Sequence, residues 1–84
     1  MKKYSCEICG FNNYPDEFWE NNIPTYIICP CCGGESGNED YSVKWAKEYR
    51  EKWIDKGAIW FEKKLKPDNW NLLGQLENIP EDYK

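Results

Sequence analysis

Two pairs of cysteines, each pair two residues apart and the pairs separated by nineteen, constrain this 84-residue chain more than any other feature. Cys6-Glu7-Ile8-Cys9 is followed at once by Gly10, and Cys29-Pro30-Cys31-Cys32 by Gly33. A tight turn between two such cysteines aims backbone N–H groups at the sulfurs. The glycine after it supplies the positive φ that closes the turn, and Pro30 presets the second turn. The separation lies within the ~15 to 20 residues expected of two-knuckle zinc sites. Cys6, Cys9, Cys29 and Cys32 are therefore the expected ligands of one tetrahedral ion per chain, zinc, with iron as the alternative occupant. Four thiolates leave no open position for water or substrate, which is the structural rather than the catalytic pattern. The chain contains no histidine, so a mixed ligand set would require a carboxylate.

The fifth cysteine, Cys31, is ambiguous. It is able to replace Cys29 or Cys32, but only the Cys29/Cys32 pair reproduces the spacing of the first knuckle. Cys31 is read as a free thiol beside the site, either a small filler or a redox-sensitive group whose oxidation releases the metal, which would demand a lowered pKa and solvent access.

A metal staple suits a chain of this length, because so short a core gives slim stability on its own. Five cysteines also argue against a fully paired disulfide framework, and no charged-then-apolar leader follows Met1. The expectation is a reduced, cytoplasmic protein. No apolar run approaches the ~20 residues that span a bilayer. The net charge is −4, and four thiolates on a divalent ion make it more negative still. Residues 41–66 nevertheless carry eight bases against four acids.

Residues 1–5 read as a short strand. Residues 11–24 hold Asn12, Asn13, Pro15, Asn21, Asn22 and Pro24 and read as a loop or loose hairpin. Thr25-Tyr26-Ile27-Ile28 reads as a second strand, and Gly33 to Asp40 as a flexible stretch. Beyond it Trp45, Tyr49 and Trp53 recur every four residues, so residues 42–56 are expected to be helical with that stripe buried. Asp40 or Ser42 would cap its start and Gly57 its end. A short last helix is expected from Asn71 to Pro80, with Glu81–Lys84 frayed. The predicted fold class is a small α+β metal-stapled domain spanning 1–84. It comprises a ribbon with a short β-hairpin over 1–38, then one long and one or two short helices over 39–80, packed on the ribbon.

The knuckles Cys6-x2-Cys9-Gly10-Phe11 and Cys29-Pro30-x-Cys32-Gly33 resemble those of rubredoxin-like zinc ribbons, over about the first half of the chain. That resemblance implies one-electron transfer through iron on Cys6, Cys9, Cys29 and Cys32. The segment between the knuckles is shorter than in rubredoxin, and Cys31 stands where the iron proteins place an aliphatic shield. Taken whole, with Ile28 to Gly33, an acidic stretch, Tyr49-Arg50-Glu51-Lys52-Trp53, Gly57-Ala58-x-Trp60-Phe61 and Pro67-x-Asn69-Trp70, the chain looks like a group of small uncharacterised bacterial cysteine-rich proteins of the Cys-Pro-Cys-Cys type, which names no activity but implies a bacterial or phage origin.

Four functions compete. An enzyme has the least support, since there is no nucleophile beside a recognisable base and no phosphate loop. The acids Glu35, Glu39 and Asp40 read as a solvated turn. Nucleic-acid binding draws on the basic, aromatic segment Lys44–Lys66 but conflicts with the acidic total. Electron transfer follows from the rubredoxin-like knuckles. The preferred reading is a non-catalytic adaptor or inhibitor, because Trp and Tyr make interface hot spots and fourteen aromatics exceed what so small a core needs.

Overall fold

A computed structural model describes residues 3–84. The path starts with single-residue pairings. Lys3 bridges to Trp19 and Ser5 to Asn12, so the strand expected over residues 1–5 is reduced to two isolated bridges, and Met1 and Lys2 lie outside the described residues. The regular strands fall where a loose hairpin was expected. Strand β1 (Trp19–Glu20) pairs antiparallel with β2 (Ile23–Pro24), with Trp19 opposite Pro24 and Glu20 opposite Ile23. Asn21 and Asn22 turn between them with φ of 51° and 66°. Two left-handed residues match the twist of a two-residue hairpin, and asparagine tolerates that conformation.

The strand expected at Thr25–Ile28 does not form. Tyr26 sits at φ 58°, which breaks the extended run, and only Ile28 bridges, to Glu35. The local bonds explain the bend. The Thr25 hydroxyl donates to the carbonyls of Glu17 (2.7 Å) and Phe18 (2.8 Å), while Ile27 N–H donates to the Ser36 hydroxyl at 3.1 Å. Gly33 to Asp40 is likewise a chain of bonded turns rather than a loose linker, with Asn38 and Glu39 N–H groups both donating to the Glu35 carbonyl.

Helix α1 (Val43–Asp55) lies within one residue of the expected span at each end. The Ser42 side chain accepts from Trp45 N–H at 3.2 Å, and Gly57 follows the C-terminus at φ 103°. Of the expected stripe, Trp53 and Tyr49 pack on the core and only Trp45 falls outside. Ala46 is fully buried and Trp53 nearly so, with Tyr49 and Arg50 between them, while Trp45 is 53% exposed and packs its ring on Tyr41. Spacing by three and four from Ala46 satisfies one face, and Trp45 lies about 100° away from it.

After α1 the chain turns at Ala58 (φ 50°) and binds the second knuckle through the Phe61 and Glu62 N–H groups, and a 3-10 turn (Lys63–Leu65) leads to α2 (Leu72–Leu76), capped by the Asn71 side chain accepting from Gly74 N–H at 2.9 Å. Glu81–Tyr83 is a 3-10 turn packed on α1, not a frayed end. The core joins the cysteines to Ile8, Phe18, Ala46, Trp53, Ala58 and Trp60. Phe11, Trp60, Trp70 and Trp53 meet edge to face in succession, at centroid distances of 5.6, 5.6 and 6.4 Å. Such contacts add ~0.5 to 1.5 kcal/mol each beyond area burial. Among the described residues no helix is long and apolar enough to cross a membrane.

Candidate metal centre

The two knuckles are built alike. In the first, Cys6 N–H donates to Phe11 O (2.8 Å) and Gly10 N–H to Cys6 O (2.9 Å); in the second, Cys29 N–H donates to Gly34 O (2.8 Å) and Gly33 N–H to Cys29 O (2.9 Å). The single bridges Ser5–Asn12 and Ile28–Glu35 close each loop at the same relative position. Gly10 (φ 83°) and Gly33 (φ 78°) supply the left-handed step in each. A Cβ at Gly10 would sit 2.2 Å from the Gln75 carbonyl oxygen, so no larger residue fits there.

These turns bring the sulfurs of Cys6, Cys9, Cys29 and Cys32 within 4.8 Å of one another, all four side chains buried. The Cys6–Cys32 and Cys9–Cys29 sulfur separations are 3.8 and 3.6 Å. Bonds of about 2.3 Å to a tetrahedral ion place sulfurs roughly 3.8 Å apart, so both the soft donor set and its dimensions fit zinc or iron. With only protons to share, the sulfurs differ: burial pushes the Cys9 thiol up, the neighbouring Cys29 and Cys6 raise Cys32, and Cys29 is lowered by thiols that donate to it. A divalent ion removes that competition by holding all four as thiolates. Gly34 N–H also points at Cys32 Sγ, at 3.5 Å.

Cys31 lies outside this quartet. It is fully buried, and Gln75 Nε2 donates to its sulfur at 3.3 Å. The exposure that a redox-sensitive thiol would require is lacking in this conformation.

Both knuckles are gripped from outside by the C-terminal half, and the cysteine spacing gives no hint of this. The three carbonyls after Cys6 accept from side chains: Glu7 O from Arg50 Nη2 (3.0 Å), Ile8 O from Arg50 Nε (2.5 Å) and Cys9 O from Gln75 Nε2 (3.1 Å). The three equivalent carbonyls after Cys29 accept mainly from backbone: Pro30 O from Glu62 N–H (2.8 Å), Cys31 O from Phe61 N–H (3.0 Å) and Cys32 O from the Tyr49 hydroxyl (3.0 Å). Arg50 Nη2 donates also to Tyr83 O at 2.7 Å, tying in the C-terminus. The chain has one arginine and one glutamine, and both serve the first knuckle. A lone arginine among ten lysines is the signal that could have marked it, since only the guanidinium offers several donors in a fixed plane.

Two carboxylates are buried nearby. Glu7 is fully buried, pairs with Lys3 Nζ at 3.5 Å, and lies beside the Tyr83 hydroxyl, without a well-formed hydrogen bond to either oxygen among the described residues. Burial pushes its carboxyl up to about 7, against the lowering effect of Lys3 and with Asp40 raising it further. Asp40, expected in a solvated acidic turn, is instead 2% exposed and accepts from Trp19 Nε1 (2.8 Å) and Gly37 N–H (2.6 Å). Its two firm donors explain why burial is tolerated. Glu35 and Glu39 remain part-exposed.

The chain is similar to two proteins of Bacillus subtilis (strain 168). The uncharacterized protein YoaQ is 29% identical over 103 residues, covering 99% of this chain and 73% of that protein. The uncharacterized protein YozI is 30% identical over 87 residues, covering 99% of this chain and 72% of that one. Rubredoxin-1 of Alcanivorax borkumensis is 38% identical over an alignment of 53 positions, covering 51% of this chain and 94% of that protein. No family model matches the chain, and no solved structure does. Coverage of almost the whole chain by YozI places it: the chain belongs to the family of small uncharacterised proteins that includes YozI of Bacillus subtilis, and about half of it is similar to a rubredoxin.

Proposed function

We propose that this protein is a non-catalytic scaffold held by one structural zinc on Cys6, Cys9, Cys29 and Cys32, which presents an aromatic surface to a protein partner as an adaptor or inhibitor in the cytoplasm. The observation that carries the metal part is the closed quartet: four buried thiols at tetrahedral spacing, with the outer carbonyls of both knuckles already bonded. Such a site has no face through which substrate reaches the ion, and its natural role is to contribute folding free energy.

The partner part rests on which aromatics the core leaves outside. Trp53 and Trp60 are buried and Trp19 and Trp70 part-buried, so the surplus reduces to Trp45, Tyr14, Tyr26, Tyr41 and Phe61, each more than half exposed. Cys29-Pro30-Cys31-Cys32 also supports grouping the chain with bacterial Cys-Pro-Cys-Cys proteins. A tagged pull-down from the native host tests this reading: wild type is expected to retain a partner that Cys29→Ser loses, and recovery of the same proteins by both would sink it.

The similarity to Rubredoxin-1 favours a second reading, electron transfer by iron at the same four sulfurs. Protein purified from iron-replete cells distinguishes the two. A colourless protein with one zinc per chain supports the scaffold, and a red protein with iron supports electron transfer.

A further inference from the structure

Trp45 is the one tryptophan the core does not use, and its surroundings say what it would take. Its ring meets that of Tyr41 at 5.5 Å and 46°, two half-open aromatic faces at the start of α1. Beside them a groove of about 370 Å³ is lined by Asn38, Glu39, Trp45, Glu48, Tyr49 and Lys52. Glu39 comes from the turn before α1, and Glu48 from the helix one turn beyond Trp45. Two carboxylates against one ammonium, on a chain of net charge −4, make the groove attractive to cations. The Tyr49 hydroxyl is committed to Cys32 O, so that residue offers only its ring to the groove, and its anchorage to the second knuckle makes the floor rigid. A cation beside carboxylates and an indole face gains from both at once, and a preformed floor lowers the ordering cost of binding.

We propose that this groove receives an arginine- or lysine-bearing segment of a protein partner, the cation lying on the Trp45 ring between Glu39 and Glu48. The inference deepens the scaffold reading above and rests on it for the existence of a partner. An anionic ligand such as nucleic acid is disfavoured by the same two carboxylates.

The test uses the zinc-loaded full chain and a synthetic octapeptide of alternating arginine and glycine, with a glutamine–glycine octapeptide as control, followed by calorimetry and by the indole N–H resonances. The arginine peptide is expected to saturate, to move the Trp45 indole signal before the other four, and to weaken with salt. Trp45→Ala, a half-exposed site whose loss should leave zinc content and circular dichroism unchanged, is expected to weaken binding at least tenfold. Glu39→Gln with Glu48→Gln is expected to weaken it several-fold and to flatten the salt dependence. Absence of saturable binding, equal binding of the glutamine peptide, or affinity kept within twofold in Trp45→Ala would each overturn the proposal. So would concentration-dependent self-association lost in Trp45→Ala, which would assign the face to a second copy. A host partner retained equally by wild type and Trp45→Ala but lost in Cys29→Ser would overturn the groove alone and leave the scaffold standing. Arginine-peptide binding that behaves as expected, with no host partner dependent on the folded ribbon, would uphold the groove's affinity for cationic segments but overturn the scaffold reading and, with it, the protein partner.

Discussion

The two knuckles have the same backbone and opposite kinds of support. The three outer carbonyls of the first are held by the side chains of Arg50 and Gln75, whereas two of those in the second are held by the backbone of Phe61 and Glu62 and only one by a side chain, Tyr49. Identical local geometry therefore carries unequal sensitivity to mutation. Point substitutions can strip the first knuckle of its partners, while the second keeps most of them whatever side chains stand at 61 and 62.

The largest mutational effect is expected from Arg50→Ala. It unpairs Glu7 O, Ile8 O and Tyr83 O together, and at roughly 1.5 to 3 kcal/mol per bond to a charged donor, taken at the low end because Arg50 is only part-buried, the loss is about 4 kcal/mol. Lysine should not rescue it, since an ammonium cannot reproduce the planar fork. Chemical denaturation of the metal-loaded variants measures this, and a loss below about 1 kcal/mol would remove the distinction between the knuckles.

Glu7 sharpens the comparison, because the first knuckle holds a buried carboxylate where the second has Pro30. A carboxyl raised in the folded state to about 7, from 4.5, favours folding below pH 4.5 and loses that advantage as pH rises through 7. Glu7→Gln does not titrate, so its stability relative to wild type should grow between pH 5 and pH 8, by up to about 3 kcal/mol. Melting curves at the two pH values suffice, and a constant difference would mean that Glu7 is charged and compensated in the native state.

The smallest effect is expected at the second knuckle. Tyr49→Phe removes the bond to Cys32 O alone, a loss of about 1 kcal/mol with metal affinity nearly unchanged. A loss as large as that of Arg50→Ala would reverse the account of which knuckle depends on side chains.

The sequence disclosed what is encoded over a few residues. The knuckles declare themselves through cysteine spacing and the glycines that follow, and α1 through Ser42, Gly57 and its period. The grip on the knuckles was not legible. Arg50 reaches back 42 residues to Ile8, and Gln75 reaches 66 to Cys9, and nothing local ties either side chain to a carbonyl so distant in the chain. One member of the expected stripe on α1, Trp45, lies outside the core for a more local reason. A spacing of four drifts around a helix of 3.6 residues per turn, so the face that buries Ala46 and Trp53 and packs Tyr49 on the core leaves Trp45 at its edge. Asp40 was hidden because its donors, Trp19 Nε1 and Gly37 N–H, come from the hairpin and the turn, not from the acidic run.

The central claim is a closed four-thiolate centre on Cys6, Cys9, Cys29 and Cys32 with Cys31 beside it but not in it. X-ray absorption together with metal counting on wild type, Cys31→Ala and Cys29→Ser tests this most directly. The account predicts one metal per chain with four sulfurs at about 2.3 Å in both wild type and Cys31→Ala, and loss of that shell in Cys29→Ser. A Cys31→Ala protein that loses its metal, or a wild-type shell with fewer than four sulfurs, would contradict it.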